Sequence, residues 1–176
     1  PTLAPSWPEI AIAVWLAGAL VVLLRQALGW WRAAAAVRRG RPLDDREWLT
    51  SLDRARRRVG CRRTVALVAS PELTVPATLG LAAPVVLLPE HGRRWIADRR
   101  DAVLLHELVH VARGDWALRT LARLAVAVYW FNPLAWWAVR RLELEQELAC
   151  DETVLGLGER AADYAGHLLG IAHLAG

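Results

Sequence analysis

At 176 residues the chain can hold one domain plus membrane elements, but not two large domains. Its 22 basic residues, all of them arginine, outnumber 18 acidic ones for a net charge of +4 and cluster beside apolar segments, which suits a membrane surface and argues against direct nucleic-acid binding, where basic and aromatic groups interleave on a soluble fold. Two cysteines, Cys61 and Cys150, exclude a disulfide framework and point to a reducing compartment. Methionine is absent and the sequence stops within a helical pattern, so an excerpt of a longer protein is expected.

The first element is PEIAIAVWLAGALVVLLRQALGWWR. Ile10 to Leu24 carries no charge, and the apolar character continues to Trp31 with only Arg25 interrupting. At about 1.5 Å per residue this reaches the roughly 30 Å of a bilayer core. Trp7, Trp30 and Trp31 stand where interfacial aromatics belong, and Arg25 is close enough to the end to snorkel. A signal peptide would carry positive charge ahead of the apolar run. Here Glu9 precedes it, and Arg32, Arg38, Arg39 and Arg41 follow. Residues 1–33 therefore read as a transmembrane helix and its flank, with the C-terminal side in the cytoplasm. Residues 34–176 read as one further domain.

That domain opens with a predicted surface helix over Asp44–Val59, capped by Asp44 or Asp45 and stopped by Gly60. Thr64–Ala69 and Pro84–Glu90 are β-type runs. The interval SPELTVPATLGLAA is rich in Pro, Gly and small residues and reads as turns, with room for a short strand. PVVLLPE, bounded by Pro84 and Pro89, is expected to be an edge strand whose outer backbone is free to pair with an extended peptide. Helices are then predicted over Asp98–Arg113, stopped by Gly114, and over Trp116–Phe131, capped by Asp115. Asn132 and Pro133 form a cap and first-turn pair that starts a third helix running to about Leu155, and a last helix covers Glu159–Leu174.

The stretch LAVAVYWFNPLAWWAV, Leu124–Val139, is uncharged but broken in the middle. Neither half reaches the roughly 20 residues of a straight span. It is expected to form a helical hairpin, over about residues 118–141, that dips into the membrane. Tyr129, Trp130, Trp136 and Trp137 crowd its tip, and Arg119, Arg123, Arg140 and Arg141 mark its open end.

AVLLHELVHVARGDW places His106, Glu107 and His110 in an otherwise apolar helix. Residues four apart share a helix face, so the two imidazoles can grip one ion. Zinc takes neutral imidazole at about 2.0–2.1 Å and suits such a pair. Glu107 lies about 100° further round, where it can take a proton from a metal-bound water. An unpaired carboxylate buried among leucines and valines would cost several kcal/mol, and a metal with its water removes that objection. A catalytic zinc wants a third protein ligand. LELEQELACDE offers Glu147 and Asp151 on one face, so one can bind the metal while the other orients a ligand through its second ring nitrogen. Cys150, on nearly the same face, reads as a small buried thiol before a ligand, and Glu143 and Glu145 as a solvated face.

Taken together, HELVH followed by RGDW, the tryptophan-rich YWFNPLAWWAVRRLELEQELACDE and the preceding GLAAPVVLLPE resemble the BlaR/MecR family of membrane-embedded zinc metallopeptidases, over about Thr64 to Leu174. The resemblance implies an α+β, mostly α fold: a zincin-like domain with a small sheet, facing the cytoplasm of a bacterial plasma membrane. It implies one Zn2+ per chain held by His106, His110 and Glu147, with Glu107 as catalytic base and Asp151 in the layer behind the ligands. It also implies a zinc endopeptidase in signal transduction, in contact with membrane lipid, that cleaves a cytoplasmic protein: a transcriptional repressor or the protein itself. The family's best-known members sense β-lactams through an extracellular domain. Two alternatives stand beside this. A quality-control metallopeptidase of the CAAX-protease/HtpX type would use a similar pattern, but the short spacer between the two motifs here argues against it. A non-enzymatic zinc-containing membrane receptor would have no use for Glu107.

Overall fold

The computed structural model describes residues 6–172, with side chains as far as residue 166. In chain order the elements are α1 (Trp7–Arg39), β1 (Arg41–Pro42), α2 (Arg46–Val59), β2 (Ala66–Ser70), β3 (Ala77–Leu79), β4 (Val85–Pro89), a 3-10 turn at Glu90–Arg94, α3 (Ala97–Arg113), α4 (Asp115–Val128), α5 (Pro133–Gly156) and α6 (Ala161–Ala172). The chain is mostly helical with one small mixed sheet, as its sequence predicts. The expected end of the last helix at Leu174 lies outside the described residues.

Strand β2 pairs antiparallel with β1 and parallel with β4, and β3 pairs antiparallel with β4, giving the order β1-β2-β4-β3. This corrects the expectation for PVVLLPE. Val85–Leu88 lies inside the sheet with both sides paired, and β3 is the edge. Two physical reasons account for it. The interval read as turns contains Ala77–Leu79, which folds back along β4 and covers it. Val86, Leu87 and Leu88 are also at most 1 % exposed, and an apolar run buried on both faces belongs to an inner strand.

The sheet separates two packings. Leu67, Ala69, Val86 and Leu88 face the main core with Trp48 and Leu52 of α2 and Leu104, Leu105 and Leu108 of α3. Val68 and Leu87 face the opposite way, against Ala36 of α1. The period-2 alternation of the strands thus buries one row under α3 and the other under the last turns of α1. Helix α1 is continuous through residue 33 to Arg39.

At the end of α3, Gly114 adopts the left-handed conformation (φ 73°) and donates its N–H to the carbonyls of His110 and Val111. Because α4 begins at the next residue, Asp115 is inside the helix rather than capping it, and its carboxylate is free for other work. Helix α4 stops at Val128, earlier than the expected Phe131, because Tyr129–Asn132 make the turn. The Asn132 side chain accepts from the Leu134 N–H at 2.9 Å, and Pro133 takes the first helical position. Arg119 and Arg123 of α4 pair with Glu147 and Glu143 of α5, both at 2.7 Å, so the two helices run back along each other.

Helix α1 is clamped to this hairpin. Trp15 Nε1 donates to the Val128 carbonyl at 3.0 Å, Trp130 Nε1 donates to the Trp15 carbonyl at 3.1 Å, and Gln26 Nε2 donates to the Arg123 carbonyl at 2.6 Å. Gly18 permits the approach, since a Cβ there would sit 2.1 Å from the Trp130 ring. Gly18→Ile is therefore expected to push α1 off the hairpin and lower Tm in detergent by roughly 3–10 °C, the scale of one overpacked contact. A thermal melt unchanged from wild type would show that the clamp does not hold the two together. The remaining faces of α1 expose Ile12, Leu16, Leu20 and Leu24. It is the one helix among the described residues long and apolar enough to cross a membrane.

Candidate metal centre

Helix α3 carries His106, Glu107 and His110 on the side that meets α5, α6 and β3. His106 and His110 turn their Nε2 atoms toward each other at 3.2 Å. Glu147 Oε2, from α5, lies 3.5 Å from the first and 3.6 Å from the second. A tetrahedral ion with ligand bonds of about 2.0–2.2 Å sets its ligand atoms roughly 3.3–3.6 Å apart, so the three atoms have the spacing of three corners of such a site.

The far side of each ring fixes its tautomer. His110 Nδ1 meets Asp115 Oδ2 at 2.7 Å; the carboxylate can only accept, so Nδ1 carries the proton and Nε2 presents its lone pair. His106 Nδ1 meets the Tyr164 hydroxyl at 2.6 Å, and that hydroxyl donates to Asp151 Oδ1 at 2.6 Å, which leaves it accepting from Nδ1–H. In the neutral rings two lone pairs and a carboxylate oxygen thus converge on one point, and either a cation there or protons on the rings must offset their repulsion. The other carboxylate oxygen of Glu147 is held at 2.7 Å by Arg119, whose Nε also donates to the buried Gln146 at 2.6 Å.

The electrostatics follow from this crowding. Burial alone would depress both imidazoles. The Cys150 thiol and the Glu147 carboxylate beside them more than reverse that, holding His106 up at about 10 and His110 up at about 11. Hydrogen bonding to His106, then to His110, holds Glu147 well below the usual carboxylate range despite its partial burial. Burial pushes the Tyr164 phenol up, and the facing Asp151 carboxylate adds to it.

Cys150 offers a second donor set, because its thiol and the two rings have ligand-capable atoms all within 4.8 Å of one another. The thiol is fully buried, 3.5 Å from His106 Nδ1 and 3.2 Å from the His106 carbonyl. Its contact with His106 is thus to the nitrogen already engaged by Tyr164 and Asp151. The tighter convergence is the one that includes Glu147.

Glu107 stands beside the triangle, next to the edge strand β3. It is 7 % exposed, and Thr78 Oγ1 of the edge strand β3 donates to its Oε2 at 2.6 Å. A cavity of about 800 Å³ opens in front of His106, Glu107, His110 and Glu147. Helix α1 forms one of its walls through Val22, Gln26 and Trp30, and Val126 and Trp136 of the hairpin form another.

Of the five residues singled out from the sequence, the structure brings His106, His110, Glu147 and Asp151 within 3.6 Å of one another in a chain of contacts, and Glu107 lines the same cavity as His106, His110 and Glu147. Sequence reasoning missed Asp115, Tyr164, Arg119 and Thr78. Asp115 has a signal in retrospect: a carboxylate directly after the glycine that ends the histidine helix is placed to fold back on its last turn. Arg119 and Arg123 stand four apart, as do Glu143 and Glu147, and matching those pairs would have found the hairpin's ion pairs. Tyr164 carries no such mark, since nothing local shows that α6 returns to α3.

A family profile described as BlaR1 peptidase M56 matches residues 2–175. The regulatory protein BlaR1 of Bacillus licheniformis is 32 % identical over 143 residues, which is 81 % of this chain and 24 % of that protein. The methicillin resistance mecR1 proteins of Staphylococcus aureus and Staphylococcus epidermidis are each 25 % identical over 100 residues, covering 56 % of this chain and 17 % of theirs. The chain thus spans about a quarter or less of the length of these relatives. It belongs to the BlaR1 peptidase M56 family.

Proposed function

We propose that this chain is the zinc endopeptidase domain of a membrane-bound signal transducer, cutting a cytoplasmic protein that is a transcriptional repressor or the transducer itself. The observation that carries this reading is the triangle of His106 Nε2, His110 Nε2 and Glu147 Oε2 beside a buried, aimed Glu107. Zinc held there supplies Lewis-acid activation of a water and of the scissile carbonyl. Glu107 accepts the proton from the attacking water and returns it to the leaving amine nitrogen. Thr78 holds Oε2, leaving Oε1 for that water. Asp115 and the Tyr164–Asp151 pair keep both rings in the tautomer the metal needs. The edge strand β3, which lines the cavity, takes the part expected of PVVLLPE: an extended substrate pairs along it and lays its carbonyl beside Glu107. The test is metal analysis and mass spectrometry of the purified protein in nanodiscs. One zinc per chain and chelator-sensitive cleavage are expected, and cleavage indifferent to chelation would reject the reading.

In this reading α1 spans the membrane and the hairpin only dips. The tip is fastened at Trp15, ten residues from Arg25, which is about 15 Å of helix rise and half a bilayer core. Exposed Tyr129, Phe131, Leu134 and Trp137 at the tip then meet lipid, and the metal end lies on the cytoplasmic side with Arg38 and Arg39.

Metal affinity is expected to rise with pH. Both imidazoles hold protons through the neutral range in the metal-free site, and an ion must displace them. Apparent affinity should climb about ten- to a hundredfold per unit between roughly pH 6 and 9, for one or two displaced protons. Chelator competition across that range measures it, and a flat profile would mean the rings are already neutral without metal.

A further inference from the structure

We propose that the cavity holds a subsite for an acidic side chain of the peptide substrate, formed by Arg25 of α1 and Arg140 of α5. This rests on the peptidase reading. Four arginines line the cavity: Arg25, Arg119, Arg123 and Arg140. Two are neutralised, Arg119 by Glu147 and Arg123 by Glu143. Among the described residues Arg25 and Arg140 have no ion-pair partner, so the cavity wall carries two uncompensated positive charges. Snorkelling alone would account for an arginine at the end of a span, but not for two from different helices on the wall of the chamber that also holds Glu107.

A second observation comes from the residue next to Arg25. Gln26 lines the same cavity, and its Oε1 is buried with no hydrogen-bond partner, although its Nε2 is satisfied by Arg123. An unpaired buried acceptor is costly and calls for a donor from the occupant. A peptide supplies that donor as a backbone N–H and the countercharge as a carboxylate. Along α5, Arg140 is seven residues before Glu147, a rise of about 10 Å. An extended peptide covers that in roughly three residues, so the acidic side chain belongs about three residues from the cleaved bond.

The test uses the zinc-loaded chain in phosphatidylcholine nanodiscs and quenched peptides of one neutral sequence, with Asp or Asn walked through successive positions. Equilibrium binding of the same peptides, fluorescein-labelled, is measured by anisotropy on zinc-free protein. Asp is expected to beat Asn by roughly three- to tenfold at a position about three residues from the bond, the scale of two exposed ion pairs. The preference should fall to about one in the Arg25→Gln, Arg140→Gln double variant and persist in Arg62→Gln, which alters an exposed arginine outside the cavity. A flat walk, or a preference that survives the double substitution, overturns the subsite. So does an arginine dependence that appears for all peptides alike and only when phosphatidylglycerol is added, because that marks a lipid headgroup site. If no peptide is cleaved but the anisotropy still prefers Asp through Arg25 and Arg140, the peptidase reading fails and the subsite stands.

Discussion

Glu107→Gln is expected to retain about one zinc per chain while cleavage falls by about a hundredfold or more, the usual scale of general-base catalysis. The two halves of that result have separate causes. Glu107 stands outside the triangle of His106, His110 and Glu147, so its loss removes no bond to the ion. The amide keeps the shape of the carboxylate and can still accept from Thr78, so the helix and the edge strand stay together. What disappears is the carboxylate that holds a proton between water and leaving amine. Zinc content by elemental analysis and initial rates on one peptide measure both halves. A variant within a few-fold of the wild-type rate removes Glu107 from the mechanism, and one that loses zinc as well makes Glu107 a structural group.

How much of this was legible in the sequence depends on distance along the chain. The helix pair at residue 114 was readable because glycine, the preceding periodicity and the following carboxylate are all local signals. Four-residue spacing put His106 and His110 on one face, and the same rule put Glu147 and Asp151 together on another helix. The error over PVVLLPE arose from a property that no local pattern records. A strand's place in a sheet depends on which other strands find it, and the short segment Ala77–Leu79 looked like turn because Pro76 and Gly80 bracket it. The apolar run Val86–Leu88 did hold the clue, since unbroken burial favours the inside of a sheet over its edge. The role of α1 was hidden for a similar reason. Hydropathy marks a span but says nothing of which face meets protein, and Gly18 and Gln26 gain meaning only once Trp130 and Arg123 are seen against them.

Removing a metal ligand is expected to have the largest effect on the site as a whole. His106→Ala, His110→Ala and Glu147→Gln should each abolish stoichiometric zinc, because each withdraws one of three bonds and because metal binding and local folding are coupled. Glu147→Gln decides the ligand set. The carboxylate faces both Nε2 atoms, whereas the Cys150 thiol faces the engaged Nδ1 of His106, so Cys150→Ser should keep its zinc. The supporting carboxylates should rank by directness. Asp115 touches the His110 ring, so Asp115→Asn should weaken binding on the order of 10–100-fold, as losses of such orienting partners do. Asp151 acts mainly through the Tyr164 hydroxyl, so Asp151→Asn should cost less, toward the lower end of that scale. Cobalt substitution gives an independent view, since a thiolate ligand adds a sulfur-to-metal charge-transfer band that nitrogen and carboxylate ligands lack. A strong band in the wild type, absent in Cys150→Ser, together with normal zinc in Glu147→Gln, would move the third ligand from Glu147 to Cys150. The ring of His106 would then have to turn its Nδ1 to the metal and give up Tyr164, so Tyr164→Phe would no longer affect affinity. With Glu147 as ligand, the same Tyr164→Phe change should weaken zinc binding about as much as Asp151→Asn does.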